Sequence, residues 1–292
     1  MRLLASDTLE FATFSDENLP EYLILSHTWG DEEVSYQDMQ YLQKLKKLPD
    51  SLQQDTADIE NKSGYRKVTS AARAAAHRNY KYFWIDTCCI DKTSSSELQE
   101  AINSMYRWYQ KATVCIALLE DVTVKRGAQL GNIHFGHLIS ETRWIKRGWT
   151  LQELIAPREV HFVNAGWTFL TSKSISSENL SSATGIPRYV LETGDLSQAS
   201  VAQKMSWAAG RSTTRLEDRA YSLLGIFGVH IPMLYGEGAH AFIRLQEEIL
   251  RVTPDDSIFY WKDDDDSSST CRGLLAPSPT AFRNCGRVLA GP

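Results

Sequence analysis

The sequence lacks the features that mark several large functional classes. No window approaches ~20 consecutive apolar residues, the length that a membrane-spanning helix requires, so we expect no membrane span. Basic residues are not in excess, since 31 Lys and Arg stand against 36 Asp and Glu. The net charge of −5 argues against binding of nucleic acid through a basic face. The N-terminus has no long apolar segment followed by a small-residue cleavage site, so secretion is not expected.

The cysteines form no recognisable framework, and the common catalytic motifs are absent. Five cysteines are an odd number, and Cys88 and Cys89 are adjacent, so a disulfide-bonded scaffold is not predicted. A reducing compartment, the cytoplasm, fits this usage best. Cys88, Cys89 and Asp91 lack the spacing of metal ligands, so no metal site is predicted. The sequence also contains no P-loop, G-x-G-x-x-G, G-x-S-x-G or H-E-x-x-H motif.

Four short apolar segments alternate with segments of helical character. The apolar segments are typical of strands buried on both faces, and they are Tyr22–Leu25, Tyr82–Ile85, Val114–Leu119 and Glu159–Val163. Helices are predicted between them, over Tyr65–Asn79 and, after a cap at Ser94–Ser96, over Glu97–Lys111. This alternation predicts an α/β fold with a doubly wound, mostly parallel sheet.

The composition divides the chain into four parts. Residues 1–20 form a short lead-in, either hairpin or extended, and the sheet domain is predicted over residues 21–165. A Ser/Thr-rich, loop-like connection with one short helix near Pro187–Leu191 is expected over residues 166–200. Residues 201–292 are expected to form a helical extension followed by a tail.

Polar and aromatic residues follow the first two predicted strands. Ser26, His27 and Trp29 come directly after the first strand, and Asp86 comes directly after the second. Ligands of open parallel sheets bind outside the carboxyl ends of the strands, so we expect these side chains to line one cleft. The alternative for His27 is a purely structural role.

The most unusual stretch of the sequence is RWIKRGWTLQELIAP, which runs from Arg143 to Pro157. Trp149 and Glu153 are four residues apart, so a helix places the indole and the carboxylate on one face. Arg143 and Arg147 precede them. A site for a charged, ring-bearing ligand would use such an aromatic ring, a carboxylate and nearby cations. The alternative is a buried tryptophan beside an ion pair between Glu153 and Arg147.

A nucleophilic hydrolase is a weaker interpretation of the same strand ends. Cys89 or Ser26 would need an adjacent base, and His27 is the one plausible partner. No ordered Cys–His signature is present, and small buried cysteines usually have a structural role.

Three blocks taken together, YLILSHTWG, FWIDTCCIDK and RGWTLQELI, resemble the heterokaryon incompatibility (HET) domain of filamentous fungi over roughly residues 20–165. The later segment SWAAGRSTTRLEDRAYSLLGIFGVHIPMLYGEG is similar to the extension that follows this domain in many fungal incompatibility proteins. The HET family is similar in fold to Toll/interleukin-1 receptor (TIR) domains. These have a flavodoxin-like parallel sheet and signal cell death or innate immunity, so the resemblance implies this fold and an effector of that kind.

Enzymatic TIR domains cleave the nicotinamide–ribose bond of NAD with a glutamate that follows a tryptophan by four residues, on the helix after the third strand. Trp149 and Glu153 match that spacing, so the resemblance implies that Glu153 is catalytic. NAD or NADP would be the substrate, with no further cofactor. The substrate contacts expected on this basis come from Ser26, His27, Trp29, Asp86, Arg143, Arg147 and Trp149. The loop after the first strand departs from the usual TIR pattern, because it begins with His27, Thr28 and Trp29.

The alternative from another class is a non-catalytic TIR-like signalling module. Such a module triggers cell death by assembling with copies of itself or with an incompatibility partner. Asp31–Glu33 and the helix over Glu97–Lys111 would then be interface residues. Assembly into a homo-oligomer on activation is expected for the enzyme as well, because enzymatic TIR domains commonly complete their sites between protomers.

Overall fold

The computed structural model describes residues 1–49, 56–123, 132–262 and 273–289. Its centre is a seven-stranded sheet in the order β2-β1-β4-β3-β5-β6-β7. The strands are β1 Arg2–Ala5, β2 Phe11–Thr13, β3 Tyr22–His27, β4 Tyr82–Ile85, β5 Val114–Leu119, β6 Val160–Asn164 and β7 Phe169–Ser172. The four central strands, β4, β3, β5 and β6, are parallel to one another. The predicted α/β fold with a mostly parallel sheet is therefore confirmed.

Helices connect and cover these strands. They are α1 Tyr36–Leu45, α2 Ala57–Glu60, α3 Ser63–Ala76, α4 Ser95–Lys111, α5 Asn132–Glu141, α6 Arg143–Lys146, α7 Thr150–Ile155, α8 Ser177–Thr184, α9 Arg188–Thr193, α10 Val201–Ala208, α11 Asp218–Tyr221, α12 Leu224–Phe227 and α13 His240–Val252. Two short 3-10 helices, Asp256–Phe259 and Pro279–Phe282, follow. None of these described helices is long and apolar enough to cross a membrane.

The strand ends meet at one edge of the sheet because the central strands run in the same direction. Every residue of β3 and β5 is buried, as the continuous apolar segments predicted. The chain places β4 on one side of β3 and β5 on the other, so the order of strands reverses at β3. A crevice opens at such a reversal in open α/β sheets, outside the carboxyl ends of the strands.

The edges of the sheet hold strands that the alternating pattern did not predict. The lead-in forms the hairpin β1–β2, which pairs antiparallel with β4, and Leu3 and Leu4 are fully buried. On the other side, β7 pairs antiparallel with β6. The short helix predicted near Pro187–Leu191 is confirmed as α9, but the prediction that the rest of residues 166–200 is loop-like is wrong, since this segment also contains β7 and α8. Its hydroxyls bond within the chain, as Thr171 Oγ1 and Ser176 Oγ do at 2.7 Å.

The helix after β4 follows the prediction closely. The Ser94 side chain caps α4 by accepting a hydrogen bond from the Glu97 amide, at 3.4 Å. The apolar face of α4 packs on the sheet, where Trp84 makes edge-on ring contacts with Trp108 and Tyr109 at 5.8 and 5.9 Å. These contacts fix α4 beside the crevice.

The C-terminal helices pack directly against the sheet domain. A Cβ atom added at Gly225, in α12, would lie 2.1 Å from the Cβ of Tyr106 in α4. Only glycine permits this approach, because real Cβ contacts are longer than 3.0 Å. The helical extension is thus joined to the domain by close backbone packing.

Candidate functional site

A cleft of about 260 Å³ opens at the carboxyl ends of the parallel strands. Six of the predicted site residues line it: His27, Trp29, Asp86, Arg147, Trp149 and Glu153. The opposite wall is apolar and consists of Ile90, Leu98, Ile102 and Met105. The structure thus brings together residues from β3, the segment after β4, and α7, as the strand-end argument predicted.

The carboxylate of Glu153 lies at the buried end of this cleft. Its residue is 6% exposed, and its Oε2 accepts a hydrogen bond from the hydroxyl of Ser26. Trp144 Nε1 donates to the same Ser26 hydroxyl at 2.7 Å. Within the described part of the chain Glu153 forms no ion pair, so the alternative of a Glu153–Arg147 pair is not what the structure shows.

The buried position sets the protonation of Glu153. Burial raises the pKa of its carboxyl from 4.5 to about 7, and the negative charge of Asp86 acts in the same direction. The Ser26 hydrogen bond and the charge of Arg147 oppose that shift. A carboxyl with this pKa changes charge near neutral pH, which is a property common in functional sites.

Local contacts hold the short helix α7 in place. A Cβ atom at Gly148 would lie 2.5 Å from Thr213 Cγ2, so glycine allows the two segments to meet here. The Thr150 hydroxyl donates to the Arg147 carbonyl at 2.9 Å. At the other end, Lys173 Nζ donates to the carbonyls of Leu154 and Ile155 at 3.3 and 3.4 Å. A lysine at the C-terminal end of a helix satisfies free carbonyls and favours the helix dipole.

His27, Asp86 and Trp29 form one hydrogen-bonded unit across two strand ends. His27 Nε2 and Asp86 Oδ1 are 3.0 Å apart, and Trp29 Nε1 donates to Asp86 Oδ2 at 2.8 Å. Burial alone would raise the pKa of Asp86, but the His27 hydrogen bond and the cations of Lys92 and Arg147 outweigh it and lower this pKa. Asp86 therefore stays ionised and holds both rings.

The indole of Trp29 is 40% exposed and has cations near its ring. Lys92 Nζ lies 3.5 Å from the ring centroid, and the guanidinium carbon of Arg147 lies 5.3 Å from it. Both distances are in the range of cation–π attraction. The ring at the mouth of the cleft thus already attracts positive charge.

Two predicted site residues lie outside this cleft. Ser26 is fully buried behind Glu153 and acts on the cleft only through that carboxylate. Arg143 lines a neighbouring hollow of about 270 Å³, which shares Trp29, Arg147 and Trp149 with the cleft. The Arg143 amide donates to Asp121 Oδ2 at 2.6 Å, which fixes the start of α6.

The extension supplies a wall of the cleft that sequence analysis missed. Thr214, Arg215, Asp218 and Tyr235 line it. The Tyr235 hydroxyl donates to Asp218 Oδ1 at 3.0 Å, and the Trp149 indole hydrogen-bonds to the same carboxylate. Burial raises the pKa of Asp218 above its ordinary value.

Backbone hydrogen bonds between distant segments hold this wall of the cleft in place. The Gly148 amide donates to the Ser212 carbonyl at 2.8 Å, and the Ser212 amide donates to the Lys146 carbonyl at 2.7 Å. Such a pairing leaves no periodic pattern in the sequence. The concentration of charged residues at Arg215, Glu217, Asp218 and Arg219 was the available signal.

The nucleophilic hydrolase is not supported by the geometry. Ser26 bonds to Glu153 rather than to His27. Cys88 and Cys89 are buried, and burial raises the pKa of the Cys88 thiol well above its ordinary value. Over the described ranges, no group of three or more His, Cys, Asp or Glu side chains is arranged to hold a metal ion.

Comparison with known proteins places the chain in a family. Residues 22–134 match the family described as heterokaryon incompatibility protein (HET), and residues 240–290 match a domain of unknown function (DUF8212). The chain is 43% identical over 234 residues to the vegetative incompatibility protein HET-E-1 of Podospora anserina. This alignment covers 79% of the chain and 16% of that relative, so the chain spans less than a fifth of the relative's length. No solved structure matches the chain.

The family match includes β3, β4 and β5 together with the strand-end residues Ser26, His27, Trp29 and Asp86. Glu153 lies beyond its C-terminal limit. The match over the strands that form the cleft and the high identity to a vegetative incompatibility protein lead to one assignment. The chain belongs to the heterokaryon incompatibility (HET) family.

Proposed function

We propose that the cleft binds NAD or NADP and cleaves the bond between nicotinamide and ribose. The observation that carries this proposal is the Glu153 carboxyl, which is buried, unpaired with any cation in the described chain, and faces the cleft. The substrate carries positive charge on the nicotinamide ring. A buried carboxylate beside two indoles is suited to such a ligand.

The chemistry requires little more than one well-placed carboxylate. Breaking the bond develops oxocarbenium character on the ribose, as in glycoside cleavage, and water then adds to the same carbon and releases a proton. Nicotinamide leaves as a neutral base, so no general acid is needed. Glu153 would stabilise the developing positive charge, and the cationic substrate would favour the ionised carboxylate whose pKa is otherwise about 7.

The aromatic and charged groups around Glu153 match the rest of the substrate. Lys92 and Arg147 lie 3.5 and 5.3 Å from the Trp29 ring centroid, so a cationic nicotinamide ring would take the place of one of these cations against the indole. Arg147 lines both the cleft and the neighbouring hollow, and Arg143 lines the hollow. These guanidinium groups are suited to the diphosphate. The two hollows adjoin each other, since both are lined by Trp29, Arg147 and Trp149.

The fold supports a TIR-like interpretation of the domain. Numbered by their order in the chain, the four parallel strands have the spatial order 2-1-3-4, which flavodoxin-like sheets also have. The helix that carries Trp149 and Glu153 follows the third of these strands, as in enzymatic TIR domains. On this basis the chain acts in the cytoplasm as an effector of cell death in incompatibility and innate immunity, and it assembles with itself or an incompatibility partner on activation.

The direct test is to incubate the purified protein with NAD and with NADP and to measure released nicotinamide. Glu153→Gln keeps the size of the side chain but removes the charge, so turnover should fall by about 10²-fold or more. Substrate affinity should change less, because the ribose acquires its positive charge only as the bond breaks, whereas the nicotinamide ring that is charged in the ground state can contact Trp29 or Trp149. Glu141→Gln is the matched control, since Glu141 is an exposed acid whose one ion pair among the described residues is with Lys146, at 3.6 Å.

The same variants distinguish the enzyme from the non-catalytic module. Expression of the wild type in cells should deplete NAD and kill, and Glu153→Gln should do neither. A folded Glu153→Gln protein that kills without loss of NAD would reject the enzyme. Two acidic residues proposed for the interface of the non-catalytic module form ion pairs within the chain. Glu33 pairs with Lys67 at 2.5 Å, and Glu97 pairs with Arg2 at 2.7 Å.

A further inference from the structure

A buried lysine lies behind the cleft and contacts the ends of two strands. Lys67, in α3, is 5% exposed. Its ammonium lies 2.5 Å from Glu33 Oε1 and 3.1 Å from Glu120 Oε1, and it donates to the Thr28 carbonyl at 3.1 Å. It also lies 3.4 Å from His27 Nδ1. This lysine is outside the cleft, yet it touches the histidine that faces it.

The local packing explains why the lysine is buried there. A Cβ atom at Gly64, near the start of α3, would lie 2.7 Å from the Glu33 Cα. The glycine therefore lets the loop before α1 press against α3, which brings the Glu33 carboxylate onto Lys67. Ala71 is buried one turn further along the same helix face, so Lys67 occupies a position that faces the domain.

The positions of the hydrogen atoms in the contacts of Lys67 and His27 follow from which groups can donate. An ammonium group has three hydrogens and no acceptor, so a hydrogen bond across its 3.4 Å contact with His27 Nδ1 forms only when that nitrogen is the acceptor. The imidazole then carries its hydrogen on Nε2, which donates to Asp86 Oδ1 at 3.0 Å. The charged groups that face the ring are Lys67, Glu33, Asp86 and Glu153.

Asp86 connects His27 to Trp29 at the mouth of the cleft. Asp86 uses its other oxygen to accept the Trp29 indole hydrogen at 2.8 Å. One continuous series of polar contacts therefore runs from Lys67 through His27 and Asp86 to Trp29. Trp29 is 40% exposed, and this hydrogen bond restrains its ring together with the contacts of Lys92 and Arg147.

We propose that Lys67 is a positioning residue, which fixes the tautomer of His27 and thereby the orientation of Trp29 at the cleft. Without its ammonium, His27 Nδ1 has the Glu33 carboxylate as its nearest charged neighbour, at 3.9 Å. With no ammonium to keep Nδ1 as the acceptor, the imidazole hydrogen can move from Nε2 to Nδ1. The hydrogen bond from Nε2 to Asp86 is then lost, and with it one restraint on the carboxylate that holds Trp29. The effect on catalysis rests on the proposed function, whereas the tautomer does not.

The tautomer is tested by nitrogen–hydrogen NMR of protein with labelled histidine, with the His27 signal assigned through His27→Gln. In the wild type, His27 should carry hydrogen on Nε2 alone. In Lys67→Met hydrogen should appear on Nδ1, and the Trp29 indole resonance should shift. Lys67→Arg should keep the wild-type pattern, because arginine is also a cation without an acceptor.

Activity provides the second measurement. Lys67→Met should lower NAD cleavage by about 2- to 10-fold, the effect of losing one net hydrogen bond that orients Trp29. Lys62→Met is the matched control, since Lys62 precedes α3 and pairs with Asp38 at 2.8 Å without touching His27.

Each result decides the proposal. Hydrogen on Nδ1 in the wild type overturns it without any substitution, even if Lys67→Met does not fold. An unchanged His27 pattern or an unchanged Trp29 resonance in folded Lys67→Met also overturns it. If no variant and no wild-type protein cleaves NAD, the proposed function fails, and the two NMR signals alone judge the positioning role.

Discussion

Ser26 donates a hydrogen bond to the Glu153 carboxylate, although the two residues are 127 positions apart in the chain. The bond links the end of β3 to α7 and joins a fully buried hydroxyl to a carboxyl at the end of the cleft. Trp144 satisfies the same hydroxyl from its other side, at 2.7 Å. The central strand of the sheet thus helps set the charge of the proposed catalytic group.

The buried carboxyl should give stability a distinctive dependence on pH. Burial raises the pKa of Glu153 from 4.5 to about 7, so the folded protein holds a proton that the unfolded chain loses earlier. This contribution to the free energy of unfolding is fully present below pH 4.5 and declines as the pH rises to about 7. Its size is on the order of 3 kcal/mol. The Glu153→Gln variant lacks this pH-dependent contribution to stability.

Urea unfolding of both proteins across this pH range measures the effect. The glutamine variant should gain about 3 kcal/mol relative to the wild type on going from acid to mildly alkaline pH. The low pKa of Asp86 affects stability only at more acid pH, so the two effects separate. A constant stability difference across the range would contradict the burial of an unpaired carboxyl.

Removal of the Ser26 hydroxyl should shift the pH dependence of activity. Its hydrogen bond lowers the pKa of Glu153, so Ser26→Ala should raise that pKa further. The active, ionised form then requires a higher pH, and the rise of kcat/KM with pH should move in the alkaline direction. Ser140→Ala serves as the control, because that hydroxyl donates only to the His137 carbonyl, at 2.7 Å. Identical pH profiles of kcat/KM for wild type and Ser26→Ala would show that the Ser26 hydroxyl does not affect the ionisation of Glu153.

Removal of the Trp29 ring should weaken substrate binding. Trp29→Leu abolishes the surface that attracts cations, and such contacts contribute about 1 to 2 kcal/mol. KM for NAD should rise by about 5- to 30-fold, with a smaller change in kcat. Trp29→Phe keeps a ring but loses the hydrogen bond to Asp86, so its KM for NAD should lie between the values of the wild type and Trp29→Leu. A large loss of kcat with unchanged KM in Trp29→Leu would show that the ring does not bind the substrate.

Activity should depend on protein concentration if protomers complete the site. A dilute monomer should then be weakly active, and turnover per molecule should rise as the concentration or crowding increases. Nicotinamide release measured over a dilution series, with sedimentation of the same samples, tests this expectation. Specific activity that stays constant from the dilute monomer upward would count against assembly.

The sheet and half of the cleft could be predicted because their physical signals are local. Strands buried on both faces leave continuous apolar segments, as Val114–Leu119 does, and parallel strands bring their following residues to one edge. Trp149 and Glu153 lie within one turn of a helix, so their spacing sufficed. These relationships need no knowledge of distant contacts.

The remaining features depend on contacts that the sequence does not display. The sequence predicts a loop at the edge strand β7 because Ser and Thr dominate its surroundings. In the structure, however, those hydroxyls hydrogen-bond to one another inside the chain. The wall formed by Thr214, Arg215 and Asp218 depends on two backbone hydrogen bonds between Ser212 and residues 146–148. Neither feature follows a helical or strand period.

The two sides of the cleft should differ in how freely they change during evolution. Glu153 and Asp86 are held by the central sheet, where a substitution disturbs buried packing and hydrogen bonds. Thr214 and Arg215 are exposed on the segment before α11, where substitutions are tolerated more easily. Related proteins can therefore diversify what enters the cleft while inheriting the same carboxylate beneath it.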